Sequence, residues 1–352
     1  MADWLSSMQR SFEFYEVDPN TWKDRSKLNN VKSCTITWDS EAQTLGSATI
    51  DVIDTLGECY VRIYMITIQN GLKEKHPLGT FLVQTPSSDF DGKIRTVTMD
   101  AYTPLLELKE DQPPLGYSLL KGSNIMTNAY QIAREYMRAP VIKTNSDEEL
   151  KNDFVSNTED TWISFLIDLI ANAKYTFYLD ELGRVLFSPI QDTASLQPVW
   201  TYTDNNSSIL LPGVSLTHDI YGIPNKVEVI YSSGHDYYRG IAINDDPNSP
   251  TSTINRGRTI THRVINPQFS GEATKAQIQE YAEQLLKNLS SVEYIVSYSH
   301  GYCPVRLGDC VRLNYESAGI KNVKAKVVRQ SIQCDTECTV TETAVYTMKL
   351  WG

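Results

Sequence analysis

Four of the six cysteines, Cys303, Cys310, Cys334 and Cys338, crowd toward the C-terminus, and four thiolates are enough to hold a zinc ion tetrahedrally. Their spacing argues against that use. Six residues separate the first pair and three the second, and Cys310 falls in a strand pattern where a small hydrophobe would sit. The chain opens Met1-Ala2-Asp3-Trp4, without the basic and apolar regions of a secretory leader, so all six cysteines are expected as reduced thiols. The five histidines (76, 218, 235, 262 and 300) are scattered and are expected as surface or structurally bonded residues. No Gly-x-Ser-x-Gly elbow, phosphate-binding loop, His-Glu-x-x-His or Rossmann glycine fingerprint occurs. Carboxylate pairs for glycoside cleavage need a fold to bring them together. The expectation is therefore no catalytic residue, no cofactor, no metal and no enzyme.

Composition narrows the partners. At 352 residues the chain is long enough for two or three domains, and 41% hydrophobic with 21% charged residues is ordinary globular usage. A net charge of −11 disfavours general affinity for nucleic acid or an anionic membrane surface. No apolar run approaches the roughly 20 residues a helical crossing needs. Synthesis and retention in a cytoplasm are expected.

The elements that must position any site begin with an aromatic arm. Trp4, Phe12, Phe14, Tyr15 and Trp22 fall in residues 1–30 without a clear period, and such an arm is expected to pack on its own domain or on a neighbouring subunit. Residues 31–110 alternate as strands, with 47–52, 60–65, 81–83 and 96–101 separated by turn material at Pro86-Ser87-Ser88 and Asp91-Gly92-Lys93. A small antiparallel barrel or sandwich follows from such spacing. From 111 to 224 the period changes. Helices are expected over Ser123 to Arg138 and from Trp162, whose Phe165, Leu166, Leu169, Ile170 and Ala173 share a face. A hairpin then joins Tyr175–Leu179 to Arg184–Phe187, with Gly183 taking the positive φ of its Asp180-Glu181-Leu182-Gly183 turn. Residues 189–224 read as irregular passage.

A second β domain is expected over 225–352. It opens on the strand Asn225 to Tyr231, and Thr274-Lys275-Ala276-Gln277 is a capping box for a helix over 272–289 with a stripe of Ile278, Tyr281, Ala282, Leu285 and Leu289. In Pro304-Val305-Arg306-Leu307-Gly308-Asp309-Cys310-Val311-Arg312-Leu313, Gly308 supplies a turn conformation and Asp309 can accept from neighbouring amides. Val327-Val328 resets the strand phase, which suggests a bulge. The loop from Asn244 to Arg258 is longer than a barrel turn needs. Its Arg256 and Arg258 could meet acidic groups of a partner, and a solvated loop is the alternative. The fold class is α+β, mainly β.

The order of β domain, helix, Asp-Glu-x-Gly hairpin and the strand Asn225 to Tyr231 resembles the hub proteins at the base of contractile phage tails. So does Arg256-Gly257-Arg258 through the helix to the segment Pro304 to Leu313. The nearest likeness is to hubs of Gram-positive prophages and R-type bacteriocins, specific from about Asn225 to Leu313. The resemblance implies two small antiparallel β-barrel domains with α+β inserts and a non-enzymatic homotrimer. Its six barrels would match a hexameric tail tube, or tube initiator, to a trimeric central spike. Other baseplate proteins and a tape measure protein would be neighbours, and the product would be incorporated into a virion or phage-tail-like particle. An acidic channel wall suits such a conduit because it would not trap DNA in transit. No internal repeat relates the two β regions. Two rival readings are a tail-tip peptidoglycan hydrolase and a receptor- or carbohydrate-binding tail-tip protein, the latter suggested by 20 Tyr and 6 Trp.

Overall fold

Alternating apolar residues become long antiparallel strands in the computed structural model, which describes residues 2–53, 56–90, 92–93, 95–205, 208–233, 236–267 and 273–351. Asp91, Asn206, Ser207, His235 and residue 272, the expected start of a helix, lie outside the described residues. The first strands are β1 (Gln9–Val17), β2 (Asp24–Leu28), β3 (Val31–Asp39), β4 (Gly46–Ile53), β5 (Tyr60–Gln69), β6 (Leu72–Phe90) and β7 (Arg95–Tyr102). Then come α1 (Leu106–Glu110), β8 (Ser118–Leu119), α2 (Ile125–Tyr136), β9 (Phe154–Val155), α3 (Trp162–Ala171), β10 (Tyr175–Leu179) and β11 (Val185–Pro189). Next are β12 (Trp200–Thr203), β13 (Leu210–His218), β14 (Lys226–Ser233), β15 (Asp236–Ile243), α4 (Thr253–Arg256) and β16 (Thr261–Ile265). The chain closes with α5 (Lys275–Leu289), β17 (Ser291–Gly301), β18 (Cys310–Tyr315), β19 (Ile320–Gln333) and β20 (Thr339–Lys349).

The fold is α+β and mainly β, as expected, but the expected barrels are not closed. A 13-stranded sheet runs β13-β17-β20-β19-β3-β4-β7-β6-β5-β1-β2, with β18 on β19 and β12 parallel to β18. The chain divides into two compact units, residues 1–214 with 297–344 and residues 215–296 with 345–352. This differs from the expected boundaries at 31–110, 111–224 and 225–352. The cause is β19, which pairs with β18 from Cys310↔Lys326 and then with β3 from Arg329↔Asp39 to Gln333↔Thr35. A ladder between residues some three hundred positions apart leaves no local trace in the sequence.

In the first unit the expected arm is structured. β1 pairs with β5 along its whole length, and Phe14 and Trp22 are buried. Their side chains alternate too irregularly to reveal a strand, because Trp22 sits at a positive φ of 56° between β1 and β2. Pro86-Ser87-Ser88 is strand, not turn: β6 continues through it with a register shift between Gln84 and Pro86, where a residue without an amide proton is tolerated. β12 and β13 also occupy the stretch expected to be irregular. Asn124 caps α2 by accepting from the Thr127 amide at 2.9 Å, and Thr161 with Ser164 forms a capping box on α3. The apolar face of α3 is core as expected: Trp162, Phe165, Leu166, Leu169 and Ile170 are buried with α2 and the β10–β11 hairpin. A separate core lies on the large sheet, around Ile36, Ile50, Ile63, Met65, Phe81 and Met99.

The second unit is a two-layer arrangement. β14 pairs antiparallel with β15 and parallel with β16, and α5 buries Ile278, Ala282 and Leu286 against Val227, Val229 and Ala242. Leu286, not the expected Leu285, is the fully buried leucine of that turn, and Tyr281 is exposed. A Cβ on Gly240 would stand 2.5 Å from the Ile278 carbonyl oxygen, so glycine permits the close approach of β15 to the helix. The Gln279 amide then satisfies both main-chain groups of Ile241, at 3.0 and 2.8 Å. The Thr274–Gln277 capping box forms as read.

Candidate interaction sites and the buried polar cluster

The Asp180–Gly183 turn is built by one carboxylate. Asp180 Oδ1 accepts from the amides of Leu182 (3.0 Å) and Arg184 (2.8 Å), which bends the chain so that Gly183 takes φ +73°. That geometry turns the Leu182 carbonyl inward. It accepts from Trp22 Nε1 (2.8 Å), Thr80 Oγ1 (3.0 Å) and Arg62 Nη2 (3.2 Å), the last from a guanidinium that also donates to Asp24 Oδ1 at 2.9 Å. Gly183 is doubly required, because a Cβ there would meet Thr80 Cβ at 2.7 Å.

The second turn singled out in the sequence lies beside the first. Gly308, at φ +86°, donates to the Val327 carbonyl at 2.8 Å, and the Val327 amide donates to the Asp309 carbonyl at 2.9 Å, so the turn is clamped to β19. Asp309 Oδ2 accepts from the Arg306 amide at 2.9 Å, yet burial pushes its carboxyl above the usual range. Arg306 forms an ion pair with Glu181, which joins the two turns. Between them is a cavity of ≈ 520 Å³ whose wall includes Trp38, Leu78, Tyr178, Leu307, Asp309 and Lys326. A mostly apolar hollow with a few charged groups at its wall can receive an apolar side chain or a short peptide segment.

The loop from Asn244 to Arg258 is ordered by its own polar residues. Asn244, Ser249, Thr251 and Ser252 are buried; Asn244 Nδ2 donates to Ser249 Oγ (2.9 Å), and Asn255 Nδ2 donates to the carbonyls of Pro247 (2.7 Å) and Ser249 (2.8 Å). Ser252 caps the short α4. Arg256 turns inward, its guanidinium donating to the carbonyls of Ile220 and Ile223, so it braces the loop. Arg258 is exposed. A better candidate surface in this unit escaped the sequence. On the face of β15-β14-β16 opposite α5, the buried Glu228 carboxylate is held by Arg239 and Arg263, which keep it below its ordinary range, Arg263 contributing most. Register places Ile230, Ile243 and Ile265 on that same face, with Ile243 and Ile265 exposed. Two arginines around one carboxylate leave a net cation amid apolar residues, a combination that suits an acidic protein partner.

The densest collection of reactive side chains was also not foreseen. Tyr202 from β12, Tyr298 and His300 from β17, Cys303, Gln330 from β19 and Glu342 from β20 meet in a fully buried cluster. Glu342 Oε2 accepts from Tyr298 Oη (2.8 Å) and Tyr202 Oη (3.1 Å), and its Oε1 accepts from Gln330 Nε2 (2.7 Å) and stands 3.3 Å from His300 Nε2. His300 Nδ1 faces the Gly301 carbonyl at 2.7 Å, so both ring nitrogens meet acceptors, as an imidazolium requires. Burial alone would lower the His300 pKa; hydrogen bonds to Cys303 and Glu342, with the charges of both, raise it instead to about 10. Burial likewise opposes ionisation of Glu342, but His300, Tyr298 and Gln330 hold its pKa below the ordinary value. Cys, His and carboxylate are thus adjacent, with Cys303 Sγ 3.9 Å from His300 Nδ1, yet all three are sealed from substrate. The alternation Val340, Glu342, Ala344 on a buried face was the available signal.

The C-terminal cysteines do not converge. Cys303 belongs to the cluster just described, Cys310 is buried in β18, Cys338 Sγ lies 3.8 Å from Met65 Sδ, and the Cys334 amide donates to the Cys34 carbonyl at 2.9 Å. Among the described residues no group of three or more His, Cys, Asp or Glu is arranged to hold a metal.

The sequence matches no protein-family model and no curated protein. Its fold does have matches. The tail protein from Neisseria meningitidis MC58 aligns over 96% of this chain and 96% of its own, with a TM-score of 0.60 and 14% identity. The 43 kDa tail protein of prophage MuSo2 from Shewanella oneidensis aligns over 95% of this chain and 98% of its own, with a TM-score of 0.61 and 11% identity. A chain of the Francisella PdpA-VgrG complex covers 99% of this chain with 54% of its own length, at a TM-score of 0.56 and 9% identity. Over nearly its whole length, the chain has the fold of these tail proteins.

Proposed function

We propose that this protein is a non-enzymatic structural component at the base of a contractile phage-type tail, incorporated into a virion or phage-tail-like particle. The observation that carries the reading is the end-to-end fold match to two tail proteins, which leaves almost no part of either chain unaligned. In the finer form implied by the resemblance, three copies surround the tail axis, contact a hexameric tube protein above and hold a trimeric central spike below. The two units, rather than two separate barrels, would then supply the paired contacts that let three copies answer six. The arginine-bearing face of β15-β14-β16 and the exposed Arg258 are the surfaces that would meet acidic groups of neighbours. The open edges at β2 and β13 offer main-chain groups for added strands.

Imaging of an intact particle with this chain located tests the proposal. Three copies beneath the tube, each reaching two tube subunits, is the expected result. Six copies, or a position away from the tail base, would refute the hub.

A further inference from the structure

β3 and β19 run antiparallel with Gln333 opposite Thr35, and one step further along that register Cys334 stands opposite Cys34. The ladder continues to this point, because the Cys334 amide donates to the Cys34 carbonyl at 2.9 Å. Directly opposed residues of an antiparallel pair project to the same face, with Cα atoms about 5.5 Å apart in a hydrogen-bonded pair. That separation lies inside the range that disulfides span, roughly 4.4–6.8 Å. Cys34 is buried, while Cys334, just past the end of β19, is partly buried.

We propose that Cys34 and Cys334 are a thiol–disulfide exchange site that closes to a cross-strand disulfide when the protein meets small-molecule disulfides such as oxidised glutathione. The Cys334 thiolate attacks one sulfur of the oxidant, forming a mixed disulfide and expelling one thiolate. The Cys34 thiolate then attacks the Cys334 sulfur and expels the second. Two cysteine S–H bonds are lost and one S–S bond forms; the oxidant's S–S bond is reduced, and the two released thiolates take up the two protons. Only Cys334 needs access from solvent, and it is the less buried of the two. The neighbouring Cys34 thiol and burial push the Cys334 thiol well above its ordinary pKa, so its thiolate is scarce at neutral pH and closure needs an excess of oxidant. The bond would tie the start of the sheet's β3 to the end of β19, joining segments from opposite ends of the chain. This inference is independent of any role in a tail.

The test is incubation of the full-length native protein with excess oxidised glutathione, then alkylation and non-reducing peptide mapping by mass spectrometry. The expected product is a Cys34–Cys334 cross-linked peptide, with an apparent melting temperature raised by several degrees and restored by dithiothreitol. Cys334→Ser and Cys34→Ala should each abolish both changes, and Cys338→Ser should retain them. If instead Cys334 pairs with Cys338, which shares its loop, or if native protein acquires only a stable glutathione adduct at Cys334, the proposal fails. The wild-type mapping decides the matter even where a cysteine variant folds poorly.

Discussion

At the scale of single residues, the His300–Glu342 pair ties stability to pH. The pKa of His300 is raised from an ordinary 6.5 to about 10, so its contribution is complete below pH 6.5 and is lost as pH rises toward 10. Glu342 works in the opposite sense: its pKa is lowered from 4.5, so its contribution is present above that value and is lost as pH falls through the lower folded value. Thermal denaturation should therefore show a melting temperature that falls between pH 7 and pH 10. Glu342→Gln should cost about 3–5 kcal/mol at neutral pH, because the carboxylate that keeps the buried His300 charged, and the ion pair it makes, are both lost. It should also flatten the alkaline fall, since no carboxylate then keeps His300 charged; an unchanged slope would remove the pair from this role. The two turn glycines make a sharper comparison. Gly308→Ala meets only the cost of positive φ, about 1–2 kcal/mol, because the space beyond its Cα is open. Gly183→Ala adds a 2.7 Å encounter with Thr80 and displaces the Leu182 carbonyl from three donors, so chemical denaturation should show the larger loss for Gly183.

At the scale of elements, α3 shows local pattern and tertiary packing in agreement. Its side chains recur at helical spacing, Thr161 and Ser164 cap its start, and the face so defined is the one buried against α2 and β10–β11. Leu166 is fully buried there, so Leu166→Ala should destabilise by about 2–5 kcal/mol, measured as a shift of the denaturant midpoint. A midpoint equal to wild type would mean that this face is not core. β6 shows the opposite case. Its Pro86 signals a turn by residue type, and the strand continues because a register shift beside that proline spares the missing amide proton. Local propensity yields here to the pairing of β6 with β5 and β7.

At the scale of the molecule, the two units have separate apolar cores, one set around Ile36, Phe81, Leu166 and Trp162 and the other around Val227, Val229, Ile278 and Leu286. Cores without shared members can lose protection separately. In hydrogen exchange, Leu286→Ala should raise exchange across β14, β15 and α5 by an order of magnitude or more, while the amides of α3 and β5 keep their wild-type protection. Equal acceleration in both sets would show a single cooperative structure.

What the sequence by itself determined was whatever depends on near neighbours along the chain. The faces of α2 and α3, the capping box at Thr274, the hairpin turn at Gly183 and the alternation of β4 and β7 all express periods or hydrogen bonds within a few residues, whereas β5, read as alternating, is buried on both faces. The resemblance from Asn225 to Leu313 also pointed toward tail proteins before any fold was in view. Only the tertiary structure decided which buried face meets which. It turned Arg256 inward to two carbonyls, gave β18 and β19 to the first unit, set Cys34 against Cys334, and gathered residues 202, 298, 300, 303, 330 and 342 around one carboxylate. The physical reason is that periodicity marks a side chain as buried without specifying its partner. Strand pairing is set by ladders across hundreds of residues, and a buried Glu342 becomes favourable only when all its donors arrive together.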